Sequence, residues 1–312
     1  MKELWRLVFF GSGLVALPAL AALMGGPDQV TLVVTTPPAP AGRGRGLRPT
    51  VVAEQARLAG IPLMETARVN TPETVAALEA LRPDLLVVSA FRGLLGPELL
   101  ALGQCPPINI HPSLLPRHRG PAPVNWTLLT GDPKAGVTVM AMVPAMDEGP
   151  ILAQAERPIT PGQGAGELEA LLAQDGAKLL MTVIEGVKSK SLTPIPQNPA
   201  QATVGRRLTK ADGRLDLTKN ASELANRVNG LDPWPGAQVL FKDKPLRLFG
   251  AIAQPGEGAP GQILGLAGSR LLIGTGQGIL NVAQCQPEGR NRMTGSDFLH
   301  GYRPSKLENF PA

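Results

Sequence analysis

A short stretch, residues 109–112 (NIHP), places an amide and an imidazole close together in the sequence. If residues 107–111 form a β-strand, the side chains of Asn109 and His111 lie on the same face. An amide can donate a hydrogen bond to a developing oxyanion, and an imidazole can exchange a proton near pH 7. The pair therefore suits a reaction that develops an oxyanion and moves a proton. Polar residues at a strand end are also common for purely structural reasons, and this alternative stays open.

The residues that follow the pair form a loop that suits a flat ligand. Residues 113–120 combine apolar, backbone-restricted and basic side chains between Pro112 and Pro121. Such a loop can present backbone groups and an apolar wall to a heterocycle. The carboxyl end of a strand is also where α/β sheets bind their ligands. We therefore expect a pocket beside the end of the 107–111 strand.

Composition limits the kind of protein and its chemistry. A chain of 312 residues with 43% apolar residues has room for about two domains with buried cores. Cys105 and Cys285 are far apart and have no CxxC partner, which excludes a disulfide scaffold and a thiolate zinc site. The other two histidines, His118 and His300, are isolated from any spaced His/Cys/carboxylate set. We therefore predict no metal site.

The charge of the chain is uneven. Residues 1–204 carry 16 Lys and Arg against 16 Asp and Glu, whereas residues 205–312 carry 14 against 9, so the whole net charge of +5 lies in the last third. A basic C-terminal part favours binding to a polyanion, although a mildly basic soluble domain has the same composition. Residues 36–49 form a second basic segment, rich in Gly, Pro and Arg. This segment is either a solvated loop or an arginine loop that orders on RNA.

The N-terminal residues 1–26 have the outline of a secretory signal peptide, because Lys2 and Arg6 precede a long uncharged run. A membrane span fits less well, since turn-forming residues interrupt a run that is already short. The alternative is a buried strand over residues 4–10, a glycine turn, and a helix over residues 14–24. The strands and helices that follow favour this alternative. We therefore predict a cytoplasmic protein whose N-terminal run is part of the fold.

Strands and helices alternate along the first two thirds of the chain. Apolar runs predict buried strands at residues 4–10, 29–35, 84–90 and 107–111, with helical patterns between them. An amphipathic helix over residues 167–187 ends this series. An alternation of about 25 residues per strand is typical of a Rossmann-like, doubly wound, mostly parallel α/β sheet.

The last third has a different pattern. Residues 189–204 contain three prolines and little apolar periodicity, which predicts a linker. Short β-type runs then recur about every 8–10 residues, which predicts a small β-barrel. The glycine-rich residues 274–278 lie among these runs and are predicted to form a hairpin turn rather than a dinucleotide site. We therefore predict a Rossmann-like domain over residues 1–188 and a barrel domain over residues 205–312, joined by the linker.

Several stretches carry a resemblance to a known family. NIHPSLLPRHRGPAPVNW, with Asp147 in MDEGPIL 36 residues after His111, resembles the signature of the folate-dependent formyltransferases. PAGRGRGLRP matches the loop that the tRNA-specific branch of this family inserts beside the acceptor stem. GLDPWPGA and QPEGRNRMTGSDFLHGYRP match the C-terminal domain of that branch. The resemblance covers nearly the whole chain.

The resemblance implies roles for particular residues. The family's three catalytic residues correspond to Asn109, His111 and Asp147. Its folate-contacting loop corresponds to Ser113, Leu114, Leu115 and Pro116. Its acceptor-stem arginine corresponds to Arg43, with Arg45 as a neighbour. The family fold, a Rossmann-like domain joined to an OB-like β-barrel, agrees with the elements predicted above.

The resemblance also implies a reaction. Enzymes of the tRNA-specific branch transfer a formyl group from 10-formyltetrahydrofolate to the free amino group of initiator methionyl-tRNA, for use in translation initiation. We expect this chain to do the same as a monomer, with no metal and no membrane partner. In this hypothesis Asn109 stabilises the oxyanion, His111 moves the proton of the amine, and Asp147 orients His111.

Three other functions fit parts of the sequence. A glycinamide ribonucleotide formyltransferase or a formyltetrahydrofolate hydrolase shares the catalytic residues but needs neither a basic barrel nor an arginine loop. A non-catalytic RNA-binding α/β protein has no use for Asn109, His111 and Asp147 together. A nicotinamide-dependent oxidoreductase requires Gly-x-Gly-x-x-Gly after the first strand, whereas residues 11–16 are GSGLVA.

Overall fold

A computed structural model describes residues 4–41, 46–304 and 309–311 of the chain. The chain folds into two compact units. The first consists of residues 1–120, 136–157 and 169–204, and the second consists of residues 121–135, 158–168 and 205–312. Two short segments that precede the predicted linker therefore pack with the C-terminal unit.

The strands and helices that precede residue 189 mostly alternate, as the sequence predicts, but two short strands lie within residues 36–49, where a loop was expected. The strands are β1 (Arg6–Gly11), β2 (Gln29–Thr35), β3 (Ala39–Ala41), β4 (Gly46–Arg48), β5 (Leu63–Glu65), β6 (Leu85–Ser89), β7 (Ile108–His111), β8 (Lys134–Ala141) and β9 (Ile151–Pro158). The helices are α1 (Leu17–Met24), α2 (Val51–Leu58), α3 (Pro72–Ala80), α4 (Pro97–Leu100), α5 (Pro123–Leu129) and α6 (Ala165–Lys188). The N-terminal apolar run forms β1 and α1, so the predicted strand and helix are confirmed.

Seven strands of the first unit form one sheet in the order β5-β2-β1-β6-β7-β8-β9. The pairs from β5 to β7 are all parallel, and β8 runs antiparallel to β7. The predicted Rossmann-like, mostly parallel sheet is confirmed. None of the helices in the described part of the chain could span a lipid bilayer.

Helix α6 covers one face of this sheet at β7. Ile108 and Ile110 of β7 are buried in the same core cluster as Leu180 and Val183 of α6. Close packing here depends on Gly176, because a Cβ atom at this position would lie 2.7 Å from a side-chain carbon of Ile110. Since strand residues alternate between faces, Asn109 and His111 point to the opposite side of the sheet.

The C-terminal unit is an antiparallel sheet packed against helices. Its helices and strands after residue 205, in chain order, are α7 (Ala221–Gly230), β10 (Gln238–Phe241), β11 (Lys244–Gln254), β12 (Ile263–Ala267), β13 (Arg270–Gly274), β14 (Ile279–Pro287), β15 (Met293–Thr294) and α8 (Gly295–Tyr302). The strand order is β10-β11-β14-β13-β12, and β15 pairs with β14. Gly274 pairs with Ile279, so the glycine-rich residues between them form the predicted hairpin turn. The predicted C-terminal domain of short strands is confirmed as an antiparallel sheet.

A buried asparagine joins α7 to β11. The Asn229 side chain donates a hydrogen bond to the carbonyl oxygen of Ala251 (2.8 Å) and accepts one from the backbone N–H of Ala251 (2.9 Å). Asn229 is 8% exposed, so water cannot readily replace these two bonds. A buried backbone group that loses its partner costs about 1–3 kcal/mol. The amide therefore stabilises the C-terminal unit.

We expect Asn229→Ala to lower the free energy of unfolding of the C-terminal unit by about 1–3 kcal/mol, because both backbone groups of Ala251 lose their partner. Urea unfolding followed by circular dichroism measures this change. Ser222→Ala, on an exposed position of the same helix, is the matched control and should change the stability by less than about 0.5 kcal/mol. Equal stability of the two variants would contradict the prediction.

Candidate active site

Strand β7 brings Asn109 and His111 to the carboxyl end of the parallel strands. In the sheet, Asn109 lies opposite Val88 of β6 and Met140 of β8, and His111 lies opposite Thr138 of β8. His111 is the last residue of β7 and is 5% exposed, whereas Asn109 is half-buried. The predicted placement of both side chains on one face therefore holds in the structure.

Asp147 lies next to His111 although the two are far apart in the sequence. The Nδ1 atom of His111 is 3.6 Å from the Oδ1 atom of Asp147. Both side chains are largely buried, with 6% and 12% of their surface exposed. The connection between β8 and β9 carries Asp147 back to the end of β7. The structure thus brings the imidazole and the carboxylate together, as the resemblance implies.

The backbone around Asp147 is tightly held. Asp147 has a φ of 56°, in the left-handed region that few residues other than glycine adopt without strain. Its Oδ2 atom accepts a hydrogen bond from the backbone N–H of Gly120 (2.8 Å). Two residues later, a Cβ atom at Gly149 would lie 1.7 Å from the carbonyl oxygen of Ala141, so only glycine fits there. These contacts fix the direction of the carboxylate.

A backbone carbonyl fixes the other side of the imidazole. The Nε2 atom of His111 lies 3.0 Å from the carbonyl oxygen of His118, and a carbonyl oxygen only accepts hydrogen bonds. Nε2 therefore carries the proton of the neutral ring, which leaves the lone pair of Nδ1 directed toward Asp147. Nδ1 is the position where His111 can accept a proton.

The surroundings set the pKa of His111. Burial lowers this pKa below its ordinary value of 6.5, because a buried charge loses its hydration. The negative charge of Asp147 and the hydrogen bond to the His118 carbonyl raise the pKa, the nearby His118 ring lowers it, and the net shift is downward. His111 is therefore neutral at pH 7, and a proton taken up at Nδ1 lies beside a carboxylate.

The amide of Asn109 is available to a ligand. Within the part of the chain that the structure describes, no hydrogen bond engages this amide. It shares a strand face with His111 and is partly exposed at the edge where ligands of α/β sheets bind. An amide N–H in this position can donate to an oxygen atom that gains negative charge.

Hydrogen bonds hold the predicted folate loop, which follows directly after His111. The Ser113 hydroxyl donates to the carbonyl oxygen of Arg117 (2.7 Å) and closes the loop on itself. Leu115 is buried, whereas Leu114 and Pro116 are half-buried. Leu114 lies over β8 at Gly136, where a Cβ atom would be 2.3 Å from its side chain. The loop therefore presents a fixed apolar surface next to the end of β7.

Two polar residues that the sequence analysis missed hold this loop in place. The Thr138 hydroxyl donates to the carbonyl oxygen of Ser113 (2.7 Å) and accepts from the N–H of Leu115 (3.1 Å). The Gln154 side chain donates to the Thr138 hydroxyl and to the carbonyl oxygen of Leu115, each at 2.9 Å. Thr138 interrupts the apolar run of β8, and this is the sequence signal that points to it.

The arginine loop is only partly described. Arg43 and Arg45 lie outside the described residues. On either side, β3 and β4 pair as an antiparallel two-stranded sheet, with Ala39 opposite Arg48 and Pro40 opposite Leu47.

Two arginines of the second unit are held in position by ion pairs and aromatic rings. Arg206 pairs with Asp212 and lies 5.4 Å from the centre of the Trp126 ring. This arginine holds the pKa of the Asp212 carboxyl well below its usual range. The guanidinium of Arg292 lies 3.6 Å above the Phe249 ring and pairs with a carboxylate. Arg206 remains 55% exposed, so part of its guanidinium faces solvent.

The arrangement in the first unit suits acyl transfer. It combines a proton acceptor at His111, a carboxylate that stabilises the protonated ring, and an amide that can donate to an oxyanion. Within residues 4–41, 46–304 and 309–311, no group of three His, Cys, Asp or Glu side chains could hold a metal ion.

Comparison with known proteins agrees with this chemistry. The sequence profile of the family described as formyl transferase matches residues 5–184, and that of the formyl transferase C-terminal domain matches residues 207–303. The methionyl-tRNA formyltransferase of Desulfotalea psychrophila is 41% identical over 298 residues, which cover 95% of this chain and 92% of that protein. The enzyme of the same name from Acidithiobacillus ferrooxidans is 38% identical over 306 residues, which cover 97% and 98%.

A solved structure shares the fold at low sequence identity. The sugar 3N-formyl transferase WlaRD superposes with a TM-score of 0.68 at 14% identity, covering 93% of this chain and 100% of that one. The two family profiles and the relatives over nearly the full length lead to one conclusion. The chain belongs to the formyl transferase family and, within it, to the methionyl-tRNA formyltransferases.

Proposed function

We propose that the chain transfers a formyl group from 10-formyltetrahydrofolate to the amino group of initiator methionyl-tRNA. The observation that carries this proposal is the buried pair of His111 and Asp147, 3.6 Å apart, with the Asn109 amide on the same strand face as the imidazole. The relatives named for this reaction match over nearly the full length of the chain, which supports the same acceptor here.

The loop of residues 113–116 fits the folate. Leu114 and Pro116 offer half-buried apolar surface, and the Thr138 and Gln154 bonds keep the backbone in place before any ligand arrives. The structure of WlaRD was solved in the presence of 5-N-formyl-tetrahydrofolate, which supports a folate site in this fold. When bound, the folate supplies the formyl group in an activated form.

His111 accepts a proton from the attacking amine. A free α-amine has a pKa of about 7.7–8.0, and the ester bond of an aminoacyl-tRNA lowers the pKa of its amine further. Part of the amine is therefore already neutral near pH 7, and no strong base is needed. The proton reaches Nδ1 directly or through a water molecule, and the Asp147 carboxylate stabilises the imidazolium that forms. His111 then returns the proton toward the nitrogen atom of the leaving folate.

Asn109 stabilises the charge that develops on the formyl oxygen. Its amide is half-buried and has no described partner to give up before it donates to that oxygen. A preorganised donor of this kind stabilises a tetrahedral intermediate more than it stabilises the planar formyl group.

Basic segments of the chain bind the tRNA. We assign this role to Arg43 and Arg45 and to the C-terminal domain over residues 205–312, which carries the whole excess of positive charge. Residues 189–204 link it to the catalytic domain over residues 1–188. A glycinamide ribonucleotide substrate would require neither basic segment.

The direct test is incubation of the purified chain with 10-formyltetrahydrofolate and charged initiator tRNA. We expect formylation of the methionine amine, and we expect His111→Ala and Asp147→Asn to reduce kcat by about 10²–10⁴, the range that general acid–base catalysis supplies. Asn109→Ala should lose about 10²–10³, as an oxyanion donor does. Product is measured by acid urea electrophoresis or mass spectrometry.

Charged elongator methionine tRNA is the substrate control, and Glu79→Gln, at an exposed position of α3 in the first unit, is the control variant. Both controls separate the proposed chemistry from a general loss of activity. Near-full kcat and unchanged substrate binding in Asn109→Ala and His111→Ala would overturn the proposed roles.

We expect tRNA binding to weaken steeply with added salt. Protein binding releases cations from the phosphates of the tRNA, and this release is less favourable when the salt concentration is high. Replacing Arg43 and Arg45 together by Ala should lower the slope of log K against log salt by about 1–2, roughly one per lost phosphate contact. Fluorescence anisotropy with labelled tRNA measures both slopes.

Lys190→Gln is the matched control. Lys190 comes two residues after Lys188, the last residue of α6, which pairs with Asp28. Asp28 directly precedes β2, so Lys190 lies near the amino ends of the parallel strands, whereas His111 is at the carboxyl end of β7. The control should leave the slope unchanged. Phosphate contacts change the affinity strongly between roughly 50 and 200 mM salt. A wild-type binding constant that hardly varies over this range would contradict the tRNA role.

A further inference from the structure

Part of the segment predicted to be a linker runs along both loops of the candidate active site. Ile195 exchanges two backbone hydrogen bonds with Ile151, each 2.8 Å, just beyond the loop that carries Asp147. At its other end, the Thr203 hydroxyl accepts from the N–H of His118, and the Thr203 carbonyl accepts from the N–H of Arg119, each at 2.8 Å. This segment therefore joins the two loops that flank the imidazole.

Gln197 lies between these two attachments and is fully hydrogen-bonded. Its Nε2 atom donates to the carbonyl oxygens of Asp147 (2.8 Å) and Gly149 (2.7 Å). Its Oε1 atom accepts from Nε (3.1 Å) and Nη2 (2.8 Å) of Arg119. Two carbonyl oxygens face the amide nitrogen and two N–H groups face the amide oxygen, so the side chain fits in one orientation only.

Arg119 extends the same cluster to the residue after Asp147. Its Nη1 atom lies 3.0 Å from a carboxylate oxygen of Glu148, and only 11% of the arginine side chain is exposed. The next residue, Gly120, donates its N–H to the Asp147 carboxylate. The backbone of Asp147, its carboxylate and its neighbour are thus all held by Gln197 and residues 119–120.

This cluster explains how Asp147 keeps an uncommon backbone conformation. A non-glycine residue with a φ of 56° is strained, and it persists only when surrounding contacts determine its conformation. Gln197 donates hydrogen bonds to the carbonyl oxygens of Asp147 and Gly149, the residues on either side of Glu148. These two bonds hold the turn in which Asp147 has this conformation. Without them, the carboxylate would have other directions open to it.

We infer that Gln197 is a positioning residue that fixes the Asp147 carboxylate on His111 by holding the backbone of residues 147–149. This inference rests on the proposed function, because it assigns Gln197 an effect on the formyl-transfer step. Gln197 acts through Asp147 and, among the described residues, has no hydrogen bond to Asn109 or to residues 113–116. Its loss should therefore slow the reaction and leave the binding of both substrates unchanged.

The test uses the full chain with Gln197→Ala and Gln197→Glu. Glutamate keeps the size of the side chain and the acceptors for Arg119 but cannot donate to the two carbonyl oxygens. We expect both variants to lower kcat by about 10- to 100-fold, the scale of a misplaced catalytic group, with KM for folate and for tRNA within about twofold of wild type. Gln201→Ala, an exposed glutamine of the same segment, is the matched control and should retain wild-type kcat.

A double-mutant cycle separates positioning from a general structural effect. If Gln197 acts through Asp147, adding Gln197→Glu to Asp147→Asn should slow the reaction by less than about twofold beyond Asp147→Asn alone, because the shared effect is already lost. Thermal unfolding of each variant identifies any that fail to fold. If Gln197→Ala does not fold, the isosteric Gln197→Glu variant tests the inference instead.

Four results would overturn the inference. The first two are wild-type kcat in the Gln197 variants while Asp147→Asn is impaired, and a rise in KM that by itself accounts for the lower kcat/KM. The other two are kcat losses that multiply in the double variant, and a Gln197→Glu variant that does not fold. Full activity in Asp147→Asn itself would instead refute the proposed function. The two failures are therefore distinguishable.

Discussion

The candidate site depends on one buried imidazole that is held from both sides. The His118 carbonyl lies 3.0 Å from Nε2 of His111, and the Asp147 carboxylate lies 3.6 Å from Nδ1. Burial favours the neutral ring, whereas the carboxylate favours the charged one. Because burial has the larger effect on the pKa of His111, the resting ring is neutral, while the carboxylate still stabilises a proton taken up at Nδ1. That balance is what a base requires when its substrate is a weakly basic amine.

The fold supplies this balance through the position of β7. On one side the parallel strand β6 pairs with β7 and ends at Ser89, opposite Ile110, which leaves His111 just beyond the end of β6. On the other side, antiparallel β8 returns along β7, places Thr138 opposite His111, and leads into the turn that carries Asp147. A single strand reversal therefore organises both the loop proposed to bind folate and the carboxylate.

The sequence predicts the parts of this arrangement that follow from local periodicity. Continuous apolar runs identify β1, β2, β6 and β7, and the two-residue repeat of a strand places Asn109 and His111 on one face. The position of Asp147 depends on a contact across 36 residues, so only the family resemblance indicated it. The bonds of Gln197 lie in a proline-rich segment without apolar periodicity, and such a segment gives no pattern from which a contact can be inferred. The packing of residues 121–135 and 158–168 with the C-terminal unit is likewise a long-range effect that composition does not record.

The central claim is that His111 rests as a neutral ring with its proton on Nε2 and an open Nδ1 facing Asp147. Nitrogen-15 NMR of the labelled chain tests it directly, since there are only three histidines and His118 and His300 can be assigned by substitution. The account predicts a protonated Nε2 and an unprotonated Nδ1 at pH 7, with a pKa of His111 below 6.5 that falls further in Asp147→Asn because the carboxylate charge is lost. A proton on Nδ1 at pH 7, or a pKa above 6.5, would contradict it.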